Sequence, residues 1–247
     1  MSGTFHSRNT GVAHRLQGPL AQVLNHLCLL GEGTLILREE GLSLAKVTSF
    51  GLCVTDGRQG WHLLRDAISG LETDLCSARN AYLLPDPDDG VPVFATAGIS
   101  GEVDLSLRFE SLNWRSRPIL GLLDQCQAIP IDPREGRCLG AGAWLDDWKT
   151  SSTLTQTTDW NLLSALDACR CLELEIHSGL HRCAVAFRPA FLDTDGSVIR
   201  IADASRKHVV FADAGSAELH FQSLAPGHLK ICRESRRQAV RLSAPAA

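Results

Sequence analysis

Leu20, Val23, Leu24, Leu27 and Leu30 recur three and four residues apart, a spacing that places them on one face of a helix. Pro19 suits the first turn of that helix, and Gly31 and Gly33 stop it. Residues 1–18 are mostly polar, although Val12, Leu16 and Leu20 keep a four-residue spacing that would begin the helix early. From residue 34 the period falls to two. Runs at 34–39, 42–49 and 51–55, parted by turn residues, predict an antiparallel meander. Beyond Gly70, the stretch ETDLCSARNAYLLPDPDDG carries Pro85, Pro87 and an Asp-Asp-Gly cluster and reads as a loop. VPVFATAGISGEVDLSLRFES reads as a hairpin whose second strand alternates through Val103, Leu105, Leu107 and Phe109. NWRSRPILGLLDQCQ predicts a helix over 113–127, its start limited by Pro118.

Residues 129–157 have the Pro, Gly, Ser and Thr density of a linker, with Trp144 and Trp148 as points where part of it docks. Thr158 or Asp159 then caps a helix with an apolar stripe of Leu162, Leu163 and Leu166. Strands follow at 171–177, 181–187, 198–202, 207–211, 217–223, 228–233 and 238–242, the last two as a hairpin. The order helix, strand, Gly turn, strand thus occurs twice, over 20–68 and 159–203. The expected architecture is α+β with tandem duplicated units, each a large antiparallel β-sheet with helices packed on one side. The first repeat takes 12–128, the linker 129–157 and the second repeat 158–243. A groove between two non-identical copies is a natural place for a ligand.

Composition narrows the classes. With 247 residues, 44% apolar and 21% charged, the chain is that of a soluble globular protein. A net charge of −4 gives no global attraction for nucleic acid. No apolar run approaches the roughly 20 residues of a membrane span, and the opening MSGTFHSRNTG lacks the apolar core of a signal peptide. The expected location is cytoplasmic. The nine cysteines are odd in number, form no CxxC and fall mostly inside apolar patterns, so they read as buried reduced thiols. Cys169 and Cys171 form an isolated CxC, a weak signal for a soft metal.

The segments VLNHLCLLGEGTLILREEGLSLAKV and VPVFATAGISGEVDLSLRFESLNWRSRPILGLLDQ in the first copy resemble the haem-utilisation proteins of the HemS and ChuX type, which include the hemin-degrading factors. So do LLSALDACRCLELEIHSGLHRCAVAF, DGSVIRIADASRKHVVFADAGSAELHF and HLKICRESRRQAVRL in the second. The resemblance covers about residues 20–125 and 159–242 and rests on element order and a few anchor residues. It implies tandem repeats, each a helix leading into a long antiparallel sheet with later helices behind it, and haem held at the sheet and helix surfaces. The chain departs from the family in its short linker, which has no histidine where the family's linker helix supplies an axial ligand. Its amino-terminal helical extension is also short.

Haem iron takes an axial His, Tyr, Cys or Met, and its propionates take Arg or Lys. Met1 is the one methionine and Tyr82 the one tyrosine, which leaves histidine as the default ligand. The resemblance aligns His208, in SRKHVVF, with the family's His-bearing strand, and implies Arg206 and Lys207 as propionate partners. His14 is the second candidate metal ligand, in a position loosely like the family's ligand-bearing helix. His26 lies beside the apolar stripe and reads as structural. His62, beside Trp61 and Arg65, is a third candidate, and Arg79 and Arg108 are further propionate candidates. Each has an ordinary alternative as a polar residue on a solvated face.

His177 and His181 have the i, i+4 spacing of a zinc pair, but Ser178 and Gly179 between strand patterns make HSGLH a hairpin turn, in which the spacing no longer converges two imidazoles. Asp86, Asp88 and Asp89 lack the distal Glu of a calcium loop and read as solvated. Lys230, Arg233, Arg236, Arg237 and Arg241 form a local positive patch. No GxxxxGK[ST], HExxH, GxGxxG or GxSxG motif occurs. The leading expectation is a cytoplasmic haem-binding protein of haem and iron utilisation. Whether it degrades hemin oxidatively or only binds and passes it on stays open, as do a protein partner in haem uptake and a homodimer. The alternatives are a non-enzymatic interaction protein that keeps the fold without haem, and a WYL-like regulatory ligand sensor suggested by the second copy alone.

Overall fold

A computed structural model describes residues 11–39, 41–51, 54–56, 63–75, 79–86, 88–98, 101, 103–132, 160–195, 198–213 and 219–233. They fall into two compact units. The first draws on Met1–Arg38, Ala45–Ser151 and His177–Cys183; the second on Glu39–Leu44, Ser152–Ile176 and Ala184–Ala247.

The first unit opens with β1 (His14–Leu16), α1 (Leu20–His26) and a 3-10 turn over Leu27–Leu29, then β2 (Glu32–Glu39). After β3 (Leu42–Ser49), whose first residues belong with Glu39 to the second unit, come β4 (Val54–Asp56), β5 (Leu63–Arg65), β6 (Leu71–Asp74), β7 (Asn80–Pro85), β8 (Pro92–Ala97), β9 (Val103–Arg108), α2 (Arg117–Gln125) and β10 (Ile129–Pro130). The strands β10, β1, β7, β8, β9 and β2 lie side by side in that order, every pair antiparallel. Register aligns His14, Leu83, Phe94, Leu107 and Leu35 in one row across this sheet. The last four are fully buried, each worth roughly 1.5–3 kcal/mol over an exposed position. The other face carries Tyr82, Ala95, Ser106 and Ile36 in register, and it too is closed to solvent.

Burial on both faces explains why β7, inside the stretch 72–90, reads as a loop from sequence. A strand covered on both sides is a continuous apolar run, with no alternation to mark it. AYLLP is such a run, in β7, and the Asp-rich cluster beyond it is only the turn into β8. The early helix over Val12, Leu16 and Leu20 is also corrected. Gly18 at φ 106° and Pro19 in extended conformation separate β1 from α1, and Val12 is 53% exposed instead of lying on an apolar stripe. α1 buries Val23 and Leu24, and α2, which starts at Arg117 with Pro118 in its first turn, buries Ile119 and Leu122.

The second unit holds α3 (Trp160–Asp167), β11 (Cys171–Ser178), β12 (His181–Phe187), β13 (Phe191–Asp195), β14 (Val198–Ala202), β15 (His208–Asp213), β16 (Leu219–Ala225) and β17 (His228–Arg233), except that His177–Cys183 belongs to the first. β13, β14 and β15 form an antiparallel meander. β16 and β17 pair antiparallel, and β17 runs parallel to β11. The expected partner of 228–233, residues 238–242, lies outside the described residues, as do Trp144 and Trp148. β13 was hidden in sequence by its turn-forming Asp193 and Asp195. The fold class is α+β dominated by antiparallel sheet, as expected. No helix among the described residues is long and apolar enough to cross a membrane.

Candidate functional site

The register between β8 and β9 slips between Thr96 and Ala97: Thr96 faces Leu105, Ala97 faces Val103, and Asp104 is left as the extra residue. Such a bulge re-aims a side chain that regular pairing would hold in the pleat. Asp104 collects three partners. Arg79 Nε donates to its Oδ2 at 2.6 Å, Thr96 Oγ1 donates to Oδ1, and His181 Nε2 lies 3.4 Å from Oδ1. The HSGLH hairpin closes over this carboxylate. Gly179, at φ 57°, sits so close that a Cβ there would overlap Asp104, which fixes glycine at the turn for two separate reasons. The turn then delivers His181, whose side chain is fully enclosed.

The hydrogen bonds assign a proton order. Thr96 spends its one proton on Asp104, so its oxygen accepts from His181 Nε2, 2.7 Å away. Thr73 Oγ1, at 2.9 Å, then donates to His181 Nδ1. A neutral imidazole is satisfied at both nitrogens by the chain Thr73, His181, Thr96, Asp104, the tautomer following from the network. Burial by itself would raise the Asp104 pKa. The hydrogen bonds from His181, Thr96 and Arg79 outweigh it and hold the carboxyl below its ordinary range. A cavity of about 210 Å³ lies beside Asp104, lined also by Arg38, Arg79, Val103 and Ser178. His181 borders a second, of about 370 Å³, with Leu63, Glu72, Asp74 and Arg182.

Of the residues singled out in sequence, Arg79 belongs to this network and is an ion-pair partner of Asp104, 18% exposed. His14 lies at the end of the Leu83–Phe94–Leu107 row. Its ring stacks on Trp114 with centroids 6.3 Å apart, and its Nδ1 is buried without a hydrogen-bond partner. Arg108 is surrounded by carboxylates, Asp86 at 3.0 Å, Glu110 at 3.4 Å and Asp89, and so gathers the acidic loop that sequence read as merely solvated. His26 Nε2 is buried without a partner. His62 and the basic residues 236–241 lie outside the described residues.

In the second unit, Asp203 begins the turn into β15. Its carboxylate accepts from Ser205 Oγ at 2.8 Å and from the His208 backbone N–H at 3.2 Å, and it faces His208 Nδ1 at 3.2 Å. Burial raises the Asp203 pKa, but these bonds and the His208 charge lower it further, leaving it below the ordinary value. The His208 ring stacks on Phe187, centroids 5.5 Å apart and planes 10° from parallel, with 24% of the side chain exposed. Arg206, Lys207 and His208 do not converge. Phe191, Ala202 and Val209 stand opposite one another on one sheet face, so His208, one residue from Val209, points to the other with the buried Val210 and Ala212. Arg206 lies over the Phe191 ring, 4.9 Å from its centroid, on the Val209 side, and Lys207 is exposed at the turn.

The participant that sequence reasoning missed is His181, set aside as one half of an unsuitable zinc pair. The usable signal was its phase. His181, Cys183, Val185 and Phe187 are the buried positions of β12, alternating with exposed Arg182, Ala184 and Ala186, and a histidine in phase with a buried face needs partners. Asp104 carried no comparable signal, because the bulge that aims it is a matter of register.

No protein-family profile and no curated protein sequence matches the chain. Solved structures do. Apo-PhuS, a haem-binding protein from Pseudomonas aeruginosa, superposes with a TM-score of 0.59 at 12% identity, over 84% of this chain and 72% of that one. Escherichia coli O157:H7 ChuS, a haem-degrading enzyme, gives 0.57 at 12% identity over 87% and 74%, and a second structure of ChuS, described as an E. coli haem oxygenase, gives 0.58 at 12% over 87% and 77%. At these identities what is shared is the fold.

Proposed function

We propose that this chain is a haem-binding protein of haem utilisation, with His208 as the axial ligand. The carrying observation is the pairing of His208 with Asp203, within a fold shared with haem-binding and haem-degrading proteins. Metal-binding histidines commonly turn one ring nitrogen to a carboxylate, which sets the tautomer and leaves the other nitrogen for the metal. His208 meets that requirement. Nδ1 faces an aspartate that stays ionised, the Phe187 ring fixes the plane, and the side chain keeps a path to solvent. His14 fits less well, since it packs against Trp114 in a buried row. Arg206, on the opposite sheet face, would not clamp the propionates of a haem held by His208. Bound haem would supply the redox centre for its own oxidative breakdown, or be cargo. The residues described here orient the ligand and hold its counter-charge.

Titrating the full chain with hemin tests this. A saturable shift of the Soret band at one equivalent is expected. His208→Ala should weaken binding by at least about tenfold and Asp203→Asn by about tenfold, while His14→Ala leaves it near wild type. Absence of saturable binding would favour an interaction protein that kept the fold without haem. Equal binding by wild type and His208→Ala would move the ligand elsewhere. Loss of the Soret band with ascorbate would identify a degrading enzyme; a stable band would identify binding or transport.

A further inference from the structure

The fold separates the two cysteines of the CxC pair. Cys169 is buried, and its Sγ turns back onto the Cys171 carbonyl at 3.0 Å. Cys171 opens β11 on its half-exposed face, with Glu173 two residues further along it. The parallel strand β17 sets His228 opposite Cys171 and Lys230 opposite Glu173. Side chains alternate in a strand, so Cys171, Glu173 and His228 project from one face, while Leu172, Leu174, Leu229 and Ile231 fill the buried one. The Cys171 sulfur, a Glu173 carboxylate oxygen and a His228 ring nitrogen all lie within 4.8 Å of one another, with His228 Nε2 2.8 Å from Glu173 Oε1.

We propose that Cys171, Glu173 and His228 form a zinc(II) site. A thiolate, an imidazole and a carboxylate make a borderline-soft donor set that suits zinc and disfavours calcium and magnesium, which want oxygen alone. Donors around tetrahedral zinc stand about 3.5 Å apart, so the His228–Glu173 pair, at 2.8 Å, must open slightly while the Cys171 sulfur, within 4.8 Å of both, closes in. Glu173 and His228, 39% and 31% exposed, have room to turn. The fourth position faces solvent. Zinc takes the place of the proton on His228 Nε2, which in the neutral ring moves to Nδ1, and of the thiol proton of Cys171, which is released, so binding strengthens as pH rises. Two anionic donors balance the cation, and Lys230 stands in register with Glu173. The proposal does not depend on haem binding, and the test uses the haem-free full chain.

The chain is titrated with zinc in competition with a chromophoric chelator, and with cobalt(II) as a spectroscopic stand-in. One metal per chain and a thiolate-to-cobalt charge-transfer band are expected. Cys171→Ser and His228→Ala should each weaken binding at least about tenfold, and Cys169→Ser should not. To remove dependence on variants that fold poorly, zinc is also added to the unsubstituted chain before alkylation. Cys171 should become at least about tenfold slower to react, with Cys28 unchanged as the internal reference. A cobalt complex without the thiolate band, unaltered affinity in Cys171→Ser, or no protection of Cys171 would each overturn the site.

Discussion

In the first unit His181 engages both ring nitrogens with threonine hydroxyls, lies against Asp104 and is wholly enclosed. In the second, His208 turns one nitrogen to Asp203, stacks on Phe187 and keeps about a quarter of its side chain in solvent. The same pair of residue types therefore stands in two different settings. Where both ring nitrogens are matched and the side chain is enclosed, imidazole and carboxylate hold a hairpin onto a bulged strand. Where one nitrogen is left over at a partly open face, the pair has the geometry on which the proposed haem ligand rests. The discriminating property is the number of ring positions already used.

The contrast can be broken most severely at Asp104. Asp104→Ala leaves Arg79 and the His181 relay without their carboxylate, and urea unfolding should show a loss of roughly 3 kcal/mol. An unchanged midpoint would mean that the enclosed pair does not hold the hairpin. A smaller effect is expected at the turn. Gly179→Ala combines a left-handed backbone with overlap of the Asp104 carboxylate and should destabilise by roughly 1–3 kcal/mol. Asn at the same position tolerates the backbone but not the overlap, so if it matches Gly, the close approach is not what selects glycine.

The mildest test uses acid. Both aspartates have native pKa values below their ordinary ones. Each therefore contributes stability that is complete above about pH 4 and is lost as pH falls through the native value. Asp203 is the less enclosed partner in a more solvated pair, so Asp203→Asn should change the acid limb of the urea midpoint by under about 1 kcal/mol. Asp104→Asn should flatten that limb much more. Equal slopes for the two variants would erase the distinction between an enclosed and an open pair.

Parts of this arrangement were readable in the sequence. The leucine spacing of α1 and the Gly-containing turn of HSGLH each depend on neighbours within a few residues, and each is where local pattern put it; the alternation of β9 holds for Leu105 and Leu107, but the bulge at Asp104 turns Val103 to the face of Tyr82 and Ala95. β7 was not readable, because burial on both faces removes the alternation that marks a strand. The trio Arg206, Lys207 and His208 looked like a cationic clamp around a ligand, since sequence adjacency does not reveal sheet faces. Register showed that Arg206 and His208 face opposite ways. His181 stood in plain view as the first buried position of β12, and its meaning required Thr73 and Thr96, 108 and 85 residues away.

By itself the sequence determined the helix α1 and the longer strands with a clear alternation, such as β3, β11 and β12, that the chain is α+β with much antiparallel sheet, and that histidine is the natural ligand in a chain with one methionine and one tyrosine. Only the tertiary structure decided which histidine is spent and which is available. It also took Cys171 away from Cys169 and placed it with His228. The reason is physical: periodicity is a property of neighbouring residues, whereas a bulge, a strand register and a parallel pairing are settled by how distant segments pack, and those three features aim Asp104, His208 and Cys171.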